Sequence, residues 1–143
     1  MECNNMEIKQ ISVFLENTTG RLGEVTRVLA QAGINIRAIS IADTADFGIL
    51  RLIVDKSEAA AEALNKAGFT TRQSDVAALE IGDTPGSLAE VMELFQKSQV
   101  NIEYLYASLE GKIGKAVVIF KLQDHEKGLK LIKENGLSMI ESF

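Results

Sequence analysis

The sequence is short of the residues that build cross-linked, metal-binding or histidine-dependent sites. Cys3 is the single cysteine and His125 the single histidine. One cysteine forms no internal disulfide, no CxxC redox pair and no thiolate metal cluster, which favours a reducing compartment. One histidine leaves little general-base chemistry near neutral pH, and the sequence shows no Ser/His/Asp, Cys/His or paired-carboxylate arrangement. We therefore expect no enzyme activity, no metal and no cofactor.

Long apolar runs and basic clusters are also missing. The longest purely apolar run, "AVVIF" at 116–120, is far too short to span a bilayer, and the sequence does not open with a basic segment followed by an apolar one. The chain carries 15 Lys and Arg against 20 Asp and Glu, a net charge of −5, without a run of cations that would neutralise successive phosphates. We expect a cytoplasmic protein that binds neither membranes nor nucleic acid.

Two segments of the chain are nearly the same. "NTTGRLGEV" at 17–25 is followed by "DTPGSLAEV" at 83–91, and Gly20 and Gly86 are 66 positions apart. Matches at this one offset continue well beyond the two segments, which indicates an internal duplication. The matched pairs are Gly20 and Gly86, Leu22 and Leu88, Glu24 and Glu90, Val25 and Val91, Leu29 and Phe95, Asn35 and Asn101, and Ile36 and Ile102.

The apolar spacing predicts the same order of elements in each copy: strand, helix, strand, strand, helix, strand. In the first copy the strands are at 9–16, 34–42, 47–54 and 69–74, one helix carries Leu22, Val25, Leu29 and Ala32, and the other is at 58–67. In the second copy the strands are at 76–81, 101–108, 116–122 and 137–140, and the helices are at 87–98 and 125–135. Residues 43–46 and 109–115 are predicted hairpin loops, Asp55 or Ser57 and then Asp124 are predicted helix caps, and Gly33, Gly68 and Gly136 are predicted helix ends.

This order predicts the fold class α+β. Right-handed crossovers fold each copy into a four-stranded antiparallel sheet with both helices on one face, a ferredoxin-like βαββαβ sandwich. The predicted domains are 6–73 and 74–143, with no Pro/Gly/Ser-rich linker between them. Apolar residues on both faces of the third strands, at 49–54 and 117–120, indicate that the bare face needs a partner. Units of about 65 residues are also small, so association of the halves or of chains, as in a homodimer, is expected.

The duplicated turn has the chemistry of an amino-acid site. Gly20 allows a close approach to the main chain, and the amides from Arg21 onward begin a helix, an end that attracts a carboxylate. Asn17 and Asn35 each offer an amide donor and a carbonyl acceptor. A zwitterion needs donors for its carboxylate and acceptors for its ammonium group, and this set of residues supplies both.

These residues resemble a known signature. The string "ENTTGRL" at 16–22, followed fifteen residues after its glycine by Asn35 and Ile36, is similar to the signature of the ACT domain, a small regulatory module that binds amino acids. "DTPGSL" at 83–88, followed by Asn101 and Ile102, is similar to it too. The resemblance covers nearly the whole chain and is greatest to small stand-alone tandem ACT proteins. It implies a ligand site where the glycine turn of one ACT unit meets the second strand of another.

The resemblance implies candidate binding residues in both copies. The main candidates are Asn17, Thr18, Thr19, Gly20, Arg21, Leu22, Asn35, Ile36, Asn101 and Ile102. A weaker second site comprises Asp83, Thr84, Pro85, Gly86, Ser87 and Leu88. The first copy has Thr19 where the family often has proline, and the second has Asp83 in place of asparagine, whose charge would repel a carboxylate and which is itself able to cap the helix. The first turn is therefore favoured, with either Asn35 or Asn101 facing it.

Other interpretations stay open. Asn17, Thr18 and Thr19 are also typical helix-capping residues. The expected function is a non-catalytic sensor that binds a free amino acid and regulates an enzyme of amino-acid metabolism. "GRLGEVTRVLAQAGINI" at 20–36 also resembles the regulatory subunits of acetohydroxyacid synthases, although their second domain is not ACT-like. A ferredoxin-like RNA-binding module and a pure protein-interaction module are the alternatives from other classes.

Overall fold

The computed structural model describes residues 8–43, 46–109 and 111–143, and it divides into two compact units, Lys9–Ser74 and Asp75–Ser142. We call them the first unit and the second unit. The first unit contains β1 (Ile8–Glu16), α1 (Arg21–Gln31), β2 (Ile36–Asp43), β3 (Phe47–Val54), α2 (Ser57–Lys66) and the start of β4 (Thr70–Gly82). The second contains the rest of β4, α3 (Ser87–Lys97), β5 (Ile102–Ala107), β6 (Lys115–Leu122), α4 (His125–Glu134) and β7 (Met139–Ile140).

Each unit has the predicted βαββαβ order and an antiparallel sheet. In the first unit β3 pairs with both β1 and β2, and β4 lies next to β1. In the second unit β6 pairs with both β4 and β5, and β7 pairs with β4. The two sheets thus have equivalent strand orders, which confirms a tandem pair of ferredoxin-like units.

The core of the first unit lies between its sheet and its two helices. Alternate residues of β1, namely Ile11, Val13 and Leu15, are buried together with Val25 and Leu29 of α1, as the spacing predicts. Leu64 of α2 belongs to the same cluster, so both helices cover one face of the sheet. In the second unit the equivalent cluster joins residues of β4, β6 and both helices, among them Leu79, Phe120, Val91, Phe95 and Ile132.

The predicted buried stripe of the first helix is wrong at both ends of that helix. Leu22 and Ala32 were expected on the buried stripe of the first helix, but Leu22 is 42% exposed and Ala32 is also exposed. Leu22 lies in the first turn of α1 and Ala32 is its C-cap residue. Val25 and Leu29 are buried in the core, and the partly buried Val28 packs against it.

Two of the predicted strands are one. The segments at 69–74 and 76–81 form the single strand β4, because neither glycine nor proline interrupts the chain between Thr70 and Gly82 and every residue is able to extend the ladder. The predicted loop at 43–46 is shorter than expected, since β2 includes Asp43 and β3 begins at Phe47; Thr44 and Ala45 lie outside the described residues.

The predicted cap of the second helix is wrong and that of the last helix is confirmed. The N-cap of α2 is Lys56, and neither Asp55 nor Ser57 supplies a side-chain cap bond. The Asp55 carboxylate instead accepts a hydrogen bond from the backbone N–H of Asn35 at 3.0 Å, a long-range partner that a local pattern does not reveal. Asp124 caps α4, and its carboxylate accepts from the Lys127 N–H at 3.1 Å.

The second face of the third strands is buried at some positions and exposed at others, such as Phe47 of β3, which is 62% exposed. Ile53 of β3 is 1% exposed and Ile119 of β6 is 0% exposed, although neither belongs to the clusters beneath the helices.

Within the described residues, no helix is long and apolar enough to cross a membrane.

Candidate functional site

The glycine turn of the first unit leads from β1 into α1. Gly20 is the N-cap residue of α1, with φ 92° and ψ −14°, a left-handed conformation that costs other residues free energy. Backbone bonds fix the turn on its strand side: the Asn17 N–H donates to the Asp46 carbonyl at 2.9 Å, and the Thr18 N–H donates to the Glu16 carbonyl at 2.9 Å. The chain therefore enters the helix through a turn held by its own main chain.

No side chain in the described part of the structure caps α1. The first candidate residues, Asn17, Thr18 and Thr19, are exposed, and none forms a cap bond to α1. The Arg21 N–H has a long bond of 3.4 Å to the Thr18 carbonyl, and no described residue accepts from the amides of Leu22 and Gly23. The alternative that these residues merely cap the helix is thus wrong, and the amides of the first turn face outward where an anion is able to bind.

The Arg21 guanidinium is engaged by its own unit. Its Nη1 donates to Glu24 Oε2 at 3.1 Å, and its Cζ lies 4.6 Å from the centroid of the Phe69 ring. The side chain is 29% exposed. Sequence reasoning missed both partners: the spacing of Arg21 and Glu24 signals an i,i+3 pair, but nothing local points to Phe69. The positive charge stands beside the turn without occupying it.

Asn35 lies away from the turn of its own unit. Its N–H donates to the Asp55 carboxylate, and its carbonyl accepts from the Asp55 N–H at 3.2 Å, which ties it to the end of β3. Between Gly20 and Asn35 the chain passes through the 11 residues of α1, about 16 Å of helix at 1.5 Å per residue. Ile36 follows in β2 and packs partly buried against the core. The first unit therefore does not bring Asn17 and Asn35 together.

The turn of the second unit has the same backbone. Gly86 caps α3 with φ 89° and ψ −11°, and the Asp83 N–H donates to the Gly114 carbonyl at 3.0 Å. The Ser87 N–H donates to the Thr84 carbonyl at 3.2 Å, and the hydroxyls of these two residues lie 2.6 Å apart. The expectation that Asp83 caps its own helix is wrong, because α3 has no side-chain cap. Pro85 is exposed, as is Leu88.

Comparison with known proteins identifies the family. The family model described as "ACT domain pair" matches residues 6–142. The chain belongs to the ACT domain pair family. A search of curated proteins gives no match.

Solved structures share the fold of this ACT pair. Protein BT0572 from Bacteroides thetaiotaomicron is 38% identical, with a TM-score of 0.89 over 94% of this chain and 92% of that one. The ligand-free regulatory subunit of aspartate kinase from Thermus thermophilus is 20% identical, with a TM-score of 0.68 over 90% and 93%. The corresponding subunit from Thermus flavus is 19% identical, with a TM-score of 0.61 over 90% and 92%.

A cavity touches the turn of the second ACT unit. It measures about 460 Å³, and its lining includes Asp83, Ser108, Lys112 and Lys115. The two lysines bring positive charge to the lining of this cavity. A ligand there would therefore face both the negative charge of Asp83 and the positive charges of the lysines. Among the described residues no group of three or more His, Cys, Asp or Glu side chains is arranged to hold a metal ion.

The second asparagine of the ACT signature lines a different groove. Asn101 is exposed, and its carbonyl accepts from the Gln123 N–H at 3.0 Å, the bond equivalent to that between Asn35 and Asp55. Asn101 and Ile102 line a groove of about 290 Å³ together with Met92, Phe95, Gln96 and Val100. The structure thus places this candidate pair in a concave, mostly apolar setting.

Proposed function

We propose that this chain is a non-catalytic regulatory protein whose ACT units, residues 6–73 and 74–143, bind a free amino acid. The observation that carries the proposal is the glycine turn of the first unit, which opens α1 without a side-chain cap. The N–H groups of Leu22 and Gly23 donate to no acceptor among the described residues, and they suit the carboxylate of an amino acid.

The asparagines give the second half of the proposed site. Asn17 stands at the turn, whereas Asn35 and Asn101 stand at the far ends of α1 and α3 in their own units. One ligand is therefore able to contact both a turn and a second-strand asparagine only if two ACT units supply them, from one chain or from two. We accordingly propose that the ligand lies at a junction of two units and that the protein is a homo-oligomer.

The proposed partner is an enzyme of amino-acid metabolism. Support comes from the ACT pair family and from the shared fold with the two Thermus proteins, which are regulatory subunits of aspartate kinase. Ligand binding changes a partner's affinity only through a difference in affinity between two arrangements of the protein. Such coupling typically amounts to about 1–3 kcal/mol.

A thermal-shift panel of the twenty amino acids, followed by titration calorimetry, tests this function. One or a few amino acids should raise the melting temperature, because a ligand at a hundredfold its dissociation constant adds about 2.7 kcal/mol to the stability. Asn17→Ala should abolish the shift, since it removes the carboxamide at the turn.

Asp83→Ala is the matched control at the equivalent position of the second unit, and it should retain the shift. Circular dichroism establishes that both variants are folded. If no amino acid shifts the wild-type protein, the amino-acid function is wrong, and a protein-interaction role replaces it.

A further inference from the structure

The groove beside Asn101 has a buried apolar floor and a polar rim. Phe95 is 1% exposed and Val100 is 5% exposed, and they form its base. Met92 is 36% exposed at its edge, and the carboxamides of Gln96 and Asn101 are on exposed residues. The groove is therefore apolar inside and able to hydrogen-bond at its opening.

The lining selects against charge. None of the lining residues is ionisable, so a charged group that entered would lose hydration without gaining an ion pair. The volume of about 290 Å³ lies just below the range that is typical of sites for drug-sized ligands. An occupant of this size that is apolar at one end and polar at the other matches a single small metabolite.

The duplication shows which lining residues distinguish the second unit. At the offset of 66 residues, Leu29, Ile34, Asn35 and Ile36 of the first unit correspond to Phe95, Val100, Asn101 and Ile102 and keep their chemical type. Thr26 corresponds to Met92 and Ala30 to Gln96, so only these two positions change type. Thr26 Oγ1 donates to the Gly23 carbonyl at 2.9 Å, whereas methionine offers a flexible apolar side chain that adapts to a ligand.

We propose that this groove holds the apolar side chain of the amino-acid ligand, of the size of valine, leucine, isoleucine or methionine. Gln96 and Asn101 hydrogen-bond the polar end of that ligand at the opening of the groove. This inference rests on the proposed function and adds the ligand class to it. It makes the groove of the second unit the part that selects the side chain of the ligand.

Titration calorimetry with matched amino acids tests the inference. Wild-type protein should bind at least one of valine, leucine, isoleucine and methionine at least tenfold more tightly than serine, aspartate or lysine. The double substitution Met92→Thr with Gln96→Ala installs the residues of the first unit, and it should weaken binding of the apolar amino acid by about tenfold or more, the scale at which a few methylene contacts discriminate.

The control is Ala30→Gln, at the position of the first unit that corresponds to Gln96. It is an exposed helical site, and the variant should bind the apolar amino acid like the wild type. Equal urea midpoints should show that all variants are folded. If an amino acid binds and Asn17→Ala abolishes binding, but the double variant binds as the wild type does or a polar amino acid is preferred, this inference is overturned and the proposed function stands. If none of the twenty binds, both fail.

Discussion

At the scale of single residues, the two turn glycines share one backbone conformation although their neighbours have diverged. Gly20 has φ 92° and Gly86 has φ 89°, while Asn17, Thr19 and Arg21 are replaced by Asp83, Pro85 and Ser87. A Cβ atom added to either glycine would meet nothing within 4 Å. The glycines are thus required by backbone torsion and not by lack of space.

Gly20→Ala should therefore destabilise the protein through conformation alone. We expect the free energy of unfolding to fall by about 1–2 kcal/mol, the cost of a left-handed torsion for an L-residue, measured by urea unfolding. Gly23→Ala is the control, because an added Cβ there makes only an ordinary contact with Arg27 at 3.7 Å. Gly23 lies in the first turn of α1 with a helical conformation, so this control should leave the stability unchanged or raise it by up to about 0.5–1 kcal/mol. Equal effects of the two substitutions would contradict the prediction.

At the scale of elements, the two units solve the same packing problem with different pairs of residues. Gly128 of α4 is buried against Leu122 of β6, and a Cβ added to Gly128 would collide with Leu122 Cδ1. The equivalent positions of the first unit, 68 residues earlier, are Ala60 and Val54, both buried. The larger strand residue, Leu122, faces the smaller helix residue, Gly128, whereas the smaller Val54 is paired with the larger Ala60.

Gly128→Ala should destabilise the second unit by overpacking, by about 1–3 kcal/mol in urea unfolding. Leu122→Val removes the colliding atom but leaves a cavity, so on its own it should also destabilise, by about 1 kcal/mol. The double variant reproduces the pair of the first unit and should be clearly more stable than the sum of the two losses predicts. Strict additivity of the two effects would show that the collision does not govern this contact.

The equivalent helices α2 and α4 also differ in capping, because only α4 has a side-chain cap. Asp124→Ala should lower the free energy of unfolding by about 0.5–2 kcal/mol, because it removes the carboxylate that accepts from the Lys127 N–H. Ser57→Ala at the start of α2 should stay within about 0.5 kcal/mol of the wild type, since that helix has no side-chain cap. A loss at Ser57 as large as that at Asp124 would show that the cap bond is not the cause.

The elements were largely predictable because their signals are local. Apolar spacing identified all four helices and the paired strands, and glycines marked the helix ends at Gly33, Gly68 and Gly136, which all have positive φ. What failed was decided by residues distant in the chain. Asp55 bonds to Asn35, twenty positions away, instead of capping α2, and no pattern at 69–81 distinguishes two short strands from the continuous β4.

At the scale of the whole molecule, the acidic balance argues for small ligands over polyanions. With a net charge of −5 the protein would repel a phosphate backbone. On the strand that an RNA-binding module would use, Phe47 and Arg51 alone are aromatic or basic. We therefore expect no retardation of single-stranded RNA in a gel-shift assay near physiological salt. Binding that weakens steeply as salt is raised would contradict this and favour the RNA-binding alternative.

The residues of the candidate site were named from the sequence, whereas their arrangement in the fold was not predictable from it. The resemblance named the turn and both asparagines. The structure shows that α1 has no side-chain cap and that the Asp83 carboxylate does not cap α3. The resemblance did not predict the contact of Arg21 with Phe69 or the positions of Met92 and Gln96 beside Asn101, because residues of separate elements form these contacts.

The sequence by itself determined the duplication, the order of elements and the two glycine turns, because periodicity, repeats and backbone torsion act over a few residues. Only the tertiary structure decided that Asn35 lies at the far end of α1 from the turn, that Arg21 stacks on Phe69 and that a groove opens beside Asn101. These features depend on which distant segments pack together, and that follows from the folded core as a whole.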